Sequence, residues 1–117
     1  MIRATISGRT SESLTRRIQT RLNYALGQFG GWIQGVQVRL WDANGPRRGS
    51  NDQHCRMTIH LRGPMHVTIE EAGDDPYQVV SRAAERAKQV VGRRVSRKRQ
   101  QRPDRRHLPL FSLPKLI

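Results

Sequence analysis

The sequence predicts an α+β two-layer sandwich in which two helices cover one face of a four-stranded mixed sheet, in the order β-α-β-β-β-α. Polarity alternates every second residue in four segments, as in half-buried strands, and apolar residues recur every three or four positions in two others. A helix between the first two strands implies a parallel pair, because such a connection crosses over. The 117 residues have room for one domain.

The first strand and helix lie in the N-terminal third. Residues 2–7 alternate, and Gly8 closes this strand. Ser11 is a plausible N-cap for a helix that Gly30-Gly31 ends. One apolar stripe runs along this helix, formed by Leu14, Ile18, Leu22, Ala25 and Phe29.

Three further strands and a long helix follow. The inward positions of the strands are Val36, Val38 and Leu40, then Cys55, Met57, Ile59 and Leu61, and finally Met65, Val67 and Ile69. Residues 42–53 are predicted to be an exposed loop, and Gly63-Pro64 makes a hairpin. After an acidic break at 70–76, Asp75 caps a helix over about 77–99, which Arg102-Pro103 is predicted to end.

The charge is strongly positive and concentrated near the C-terminus. The chain has 22 Lys+Arg against 9 Asp+Glu, a net charge of +13, and arginine supplies 19 of the 22. Residues 78–117 carry +10 of that excess. A polyanionic partner is expected to offset this self-repulsion, and arginine's planar fork suits phosphate oxygens.

The last helix carries the predicted RNA contacts. Arg82, Arg86, Arg93 and Arg97 fall within about 60° of one another at 100° per residue, opposite the apolar stripe. Beyond residue 92, Arg94, Lys98 and Arg99 make the helix basic all round, so we expect it to project past the sheet. A solvated surface face is the alternative, although only Glu85 interrupts the positive charge.

The first helix adds Arg17 and Arg21, beside Tyr24 on one flank of its stripe. Facing the last helix, these arginines would line a basic channel between the helices, which Arg47 and Arg48 of the loop would extend. Ordinary surface positions explain them equally well.

The sequence gives little indication of metal binding, catalysis or base stacking. His60 and His66 are predicted on the open sheet face, but no cysteine or carboxylate converges there with metal-ligand spacing, so no metal site is expected. Cys55 faces inward, and no nucleophile motif or phosphate loop is present, so we expect no enzyme and no cofactor. Trp41 also lies on the open face, without a second aromatic residue beside it for base stacking.

The chain resembles the ribosome hibernation-promoting factor family, which includes ribosome-associated inhibitor A. The resemblance rests on the order and spacing of segments over residues 2–100: "IRATISGR", "SLTRRIQTRLNYALGQFG", "IQGVQVRLW", "CRMTIHLRG" and "DDPYQVVSRAAERAKQVVGRRVSRKR". It implies a protein that binds small-subunit ribosomal RNA near the decoding site and blocks the mRNA and tRNA paths. By position it assigns RNA contacts to Arg17, Arg21, Arg86, Arg93, Arg97 and Arg99.

Several expectations follow. Residues 1–101 form the hibernation factor-like domain, and 102–117 form a basic and apolar tail containing prolines. The C-terminal dimerisation domain of the family's long form is absent, so we expect a monomer when free. No signal peptide or membrane span is visible, which predicts a cytoplasmic protein. The alternative function is a free RNA-binding module of the double-stranded RNA-binding type.

Overall fold

The strands and helices follow one another in the predicted order. The computed structural model describes residues 2–43 and 52–107, with side chains up to residue 99. Its elements are β1 (Ala4–Gly8), α1 (Glu12–Leu26), β2 (Ile33–Asp42), β3 (Gln53–Leu61), β4 (His66–Gly73) and α2 (Pro76–His107). A 3-10 segment, Gly27–Trp32, joins α1 to β2. The predicted fold class is confirmed.

The sheet has the strand order β1-β2-β3-β4. β1 pairs in parallel with β2, and the other neighbours are antiparallel. At the end of β1 the chain comes so close to β2 that only glycine fits. Gly8 has φ +93°, and a Cβ built there would lie 2.0 Å from the carbonyl oxygen of Leu40.

One apolar layer lies between the sheet and the two helices. α1 packs beside α2, and α2 also covers β3 and β4. The core is formed mainly by the following buried residues: Leu14, Ile18, Leu22 and Leu26 of α1, Val36, Val38 and Leu40 of β2, Cys55, Met57, Ile59 and Leu61 of β3, Val67 and Ile69 of β4, and Val79, Val80, Ala83, Ala84, Ala87, Val91 and Val95 of α2. Both helices therefore lie on one face, as predicted.

The helix N-termini are capped as predicted, but α1 ends early. The amide of Leu14 donates to Ser11 Oγ at 3.2 Å, and the amide of Tyr77 donates to Asp75 Oδ1 at 2.9 Å. α1 ends at Leu26 rather than at Gly30-Gly31. The glycine-rich residues that follow have low helix propensity, and they tighten into the 3-10 segment.

Two predictions about α2 are wrong. The helix does not end at Arg102-Pro103 but continues to His107, since proline removes one hydrogen bond without always terminating a helix flanked by strong helix formers. The second wrong prediction is that α2 leaves the apolar core beyond residue 92. Val95 follows Val91 by one turn on the same row and is only 1% exposed, so the apolar stripe extends one turn further.

Some predictions fall outside the described residues. Arg47 and Arg48 lie there, with most of the predicted loop, and so do residues 108–117 of the predicted tail. The domain boundary near residue 101 stays a prediction. Within residues 2–43 and 52–107, no helix combines the length and apolar character needed to cross a membrane.

Candidate RNA-binding surface

A groove runs between the two helices, which lie side by side in the same direction. At one end, the hydroxyl groups of Ser13 and Tyr77 are 2.7 Å apart. Near the other end, Phe29 lies against Gly92, where an added Cβ would be 3.4 Å from the ring's Cζ. Two depressions open along this groove.

The first depression lies near the beginning of α2 and has a volume of about 500 Å³. It brings the arginines predicted on the first helix together with one from the last helix, and its lining is Arg17, Arg21, Asp75, Tyr77, Gln78, Ser81 and Arg82. The Arg17 guanidinium lies 5.5 Å from the centroid of the Tyr77 ring, a distance at which cation and ring attract each other. The predicted juxtaposition of basic residues from both helices is therefore present here.

The second depression lies one to two turns further along α2 and has a volume of about 650 Å³. Its lining is Gln28, Phe29, Lys88, Gln89, Gly92, Arg93, Ser96 and Arg97. Arg93 and Arg97 were predicted as site residues from the sequence, whereas Lys88 and Phe29 were not. The signal for Lys88 was its spacing, since Lys88, Gly92 and Ser96 form a row one turn apart on the flank that faces α1.

The four arginines of the predicted stripe are not equivalent. Arg86 donates to Glu71 Oε2 at 2.7 Å and to the carbonyl oxygen of Glu70 at 3.0 Å. Arg82 donates to the carbonyl oxygen of Ala72 at 2.9 Å and lies 3.5 Å from Glu71 Oε1. Both arginines are thus bound to the end of β4, and the single carboxylate of Glu71 offsets half of their combined charge.

Glu71 has this role because β4 is longer than predicted. The acidic residues from 70 onward were assigned to a break between strand and helix, yet Glu70 and Glu71 belong to the strand. The Glu71 side chain, 17% exposed, points to the flank of α2 that carries Arg82 and Arg86. All four arginines of the stripe face solvent, as predicted, but Arg82 and Arg86 are paired with Glu71, whereas Arg93 and Arg97 have no acidic partner among the described residues.

Arg93 and Arg97 are the free members of the stripe. Both are exposed, and neither makes a hydrogen bond or ion pair with another side chain in the part of the chain that the structure describes. Of the other predicted contacts, Arg94 is half-buried, whereas Lys98 and Arg99 are exposed. The second depression, with Lys98 and Arg99 beyond it, therefore offers an external anion exposed cations that no carboxylate of the described residues pairs with.

An exposed aromatic ring accompanies the arginines of α1. Tyr24 is 80% exposed, and on the helix it follows Arg17 and Arg21 along the flank that faces α2. Between the two depressions, Glu85 is the one carboxylate among residues 76–99 of α2. The groove therefore combines cations, hydroxyl groups and a ring, the groups that bind nucleic-acid phosphates and bases.

Cys55 and the histidine pair of the sheet are the other residues considered for chemistry. Cys55 is buried in the core, and burial, followed by the charge of Glu71, raises the pKa of its thiol to about 12. A neutral, inaccessible thiol is not a nucleophile. His60 and His66 lie opposite each other on the open sheet face, with ring centroids 6.2 Å apart. Among the described residues, no three potential metal ligands converge.

The chain is similar to proteins of one family. The family model described as Sigma 54 modulation protein / S30EA ribosomal protein matches residues 5–99. A ribosomal subunit interface protein from Coxiella burnetii is structurally similar, with a TM-score of 0.67 and 11% identity over 81% of this chain and 99% of that one. The N-terminal domain of Protein Y from Thermus thermophilus gives a TM-score of 0.62 and 22% identity over 79% and 96%. No curated protein matches the sequence significantly.

The two solved structures support the fold, and the family model covers most of the chain, including both helices that form the groove. The resemblance predicted from the order of segments is therefore confirmed. The chain belongs to the Sigma 54 modulation protein / S30EA ribosomal protein family, the family of the ribosome hibernation-promoting factors.

Proposed function

We propose that the protein is a non-enzymatic, cytoplasmic ribosome-binding factor that occupies the small subunit near the decoding site and blocks the paths of mRNA and tRNA. Family membership supports the ribosome as partner. The observation that carries the mode of binding is the second depression, where the free guanidinium groups of Arg93 and Arg97 flank Lys88. These cations would bind phosphates of the small-subunit RNA, and Arg17 and Arg21 would extend the contact along the groove.

Phosphate contacts of this kind position a protein without reading base sequence. Specificity would then come from the shape of the ribosomal cleft that accepts the two helices. Inhibition would be steric, since a protein seated in the cleft excludes the ligands that use it. No cofactor enters this mechanism, and the protein would act as a monomer.

The alternative partner is free duplex RNA. α1, β2–β4 and α2 follow the order of a double-stranded RNA-binding domain, but the residues before α2 are acidic rather than basic. Glu71 also occupies the two arginines nearest that end of the helix. Duplex phosphates would meet carboxylates there, so this arrangement favours the ribosomal cleft.

A competition experiment tests the mechanism. Purified small subunits carrying mRNA and labelled tRNA would be mixed with increasing amounts of the protein, and retained tRNA measured by filter binding. We expect the protein to displace tRNA at stoichiometric concentrations, and Arg93→Ala/Arg97→Ala to displace it only at far higher ones. Arg9→Ala/Arg16→Ala removes the same charge at two exposed positions outside both depressions, so it is the matched control and should act like the wild type. Simultaneous binding of tRNA and wild-type protein would contradict steric blocking.

A further inference from the structure

The face of the sheet that the helices leave open carries a second basic depression. It has a volume of about 350 Å³, and its lining is Thr5, Ser7, Gln37, Val38, Arg39, Arg56 and Thr58. Three hydroxyl groups, one amide and two guanidinium groups line it, and no carboxylate does. We propose that this depression and the adjoining aromatic stack bind single-stranded RNA, with a phosphate at Arg39 and a base against Trp41.

The pairing of β2 with β3 makes this depression suitable for an anion. Arg39 and Arg56 are directly opposite in the register, and like charges in that position repel each other. Arg56 is offset by Glu70, whose carboxylate lies 2.6 Å from its Nε. Arg39 has no acidic partner among the described residues. Its guanidinium lies 5.8 Å from the centroid of the Trp41 ring, and that of Arg56 lies 5.6 Å from the same ring. A phosphate would offset the charge that the fold leaves uncompensated.

The same register supplies an aromatic surface next to the cations. Trp41 lies opposite His54, and their rings stack with centroids 5.2 Å apart and an angle of 18° between the planes. This partner of Trp41 is not evident in the sequence, because His54 lies beyond the loop and only the register of β2 with β3 brings the two rings together. The stack is two residues from the arginine pair along each strand, about 7 Å, within the reach of one nucleotide.

These groups match the requirements of single-strand binding. Proteins that hold single strands combine a basic track for the backbone with rings on which bases stack. The carboxylate of Glu70 lies on the β4 side of the arginine pair. The RNA backbone would therefore cross the side of the depression formed by β1 and β2, where the hydroxyl groups of Thr5 and Ser7 can donate to phosphate oxygens. Duplex RNA would not expose its bases to the stack.

This site lies on the opposite side of the sheet from the helices, so it is tested separately from ribosome binding. The full chain would carry Arg93→Ala/Arg97→Ala to weaken the helix surface, and Trp32→Phe to leave Trp41 as the sole tryptophan. Titration with a single-stranded uridine octamer should change Trp41 emission saturably. Since no ribosome is present, failure of the ribosomal proposal would leave this readout unaffected.

Matched variants then distinguish a site from general attraction to a basic protein. In that background, Arg39→Gln should weaken octamer binding about tenfold, whereas Arg16→Gln, with the same loss of charge, should not. Trp41→Leu, followed with a labelled octamer, should lose about fivefold or more, because stacking on an aromatic ring contributes about 1–3 kcal/mol per base. Circular dichroism would confirm that each variant is folded.

Three results would overturn the proposal. They are unchanged Trp41 emission, equal effects of Arg39→Gln and Arg16→Gln, and binding of uridine monophosphate or an RNA duplex as tight as that of the octamer. Equal binding of the monophosphate would identify a mononucleotide site, and equal binding of the duplex would identify attraction to the backbone alone.

Discussion

Removing Arg93 and Arg97 should separate ribosome binding from fold stability. Neither side chain bonds another described side chain, and both are exposed, so Arg93→Ala/Arg97→Ala should change the free energy of unfolding by less than about 0.5 kcal/mol. Bonds between charged groups contribute about 1.5–3 kcal/mol each, so losing two should weaken small-subunit binding by at least about a hundredfold. The slope of log affinity against log salt should fall in magnitude by about 1.4–1.8.

Arg82→Ala/Arg86→Ala removes the same charge from the same helix and should behave differently. The half-buried Glu71 would lose both of its arginine partners. The carbonyl oxygens of Glu70 and Ala72, at the end of β4, would each lose the hydrogen bond that an arginine donates. We expect stability to fall by about 1–2 kcal/mol. The affinity of the folded protein should fall much less than in the first variant, because these guanidinium groups are already occupied.

Both variants would be measured by urea denaturation and by titration of labelled protein with small subunits at several salt concentrations. The first variant should alter only the binding curve, and the second mainly the denaturation curve. Equal losses of affinity in the two variants would refute the distinction between free and anchored arginines. An unchanged salt slope for Arg93→Ala/Arg97→Ala would refute the phosphate contacts themselves.

Three further predictions concern the fold. Gly8→Ala should lower the free energy of unfolding, measured by urea denaturation, by more than about 3 kcal/mol, because its Cβ would overlap the carbonyl group of Leu40. Gly63→Ala, at φ +78° with open space around it, should lower it by only about 1–2 kcal/mol. Equal losses in the two variants would contradict this reasoning. Gly92→Ala should raise the free energy of unfolding by about 0.5–1 kcal/mol, because alanine favours the helix. A decrease would show that the Phe29 ring, 3.4 Å from the added Cβ, cannot move aside. Because the pKa of Cys55 is raised from 9.0 to about 12, its thiol ionises first in the unfolded chain, and stability should fall by up to about 1.4 kcal/mol per pH unit between those values. Cys55→Val should remove that part of the pH dependence, and an unchanged profile would contradict it.

The architecture could be predicted because local patterns determine it. Alternating residues such as Val36, Val38 and Leu40 identified strands, and the spacing of Leu14, Ile18 and Leu22 identified a helix, in agreement with the structure. The helix ends were less predictable. Propensity places a helix end at the proline, but α2 continues past Pro103 to His107.

The candidate site was only partly predictable, because it depends on which residues of different elements meet. A helical projection placed Arg82 and Arg93 on one face but contained no information about β4. Only the tertiary structure brings Glu71 to Arg82 and leaves Arg93 free. Lys88 was missed for the same reason, since its position becomes part of a groove only when Phe29 packs beside it. Long-range contacts of this kind have no period in the sequence.

The most direct test of the ribosomal proposal is sedimentation with separated ribosomal subunits. Full-length protein would be centrifuged through sucrose gradients with purified small subunits, purified large subunits, or duplex RNA at the same phosphate concentration. We predict that it sediments with small subunits at about one molecule each and that Arg93→Ala/Arg97→Ala stays at the top of the gradient. Arg9→Ala/Arg16→Ala, which removes the same charge, should sediment like the wild type. Equal association with large subunits or duplex RNA, or no association with small subunits, would contradict the proposal.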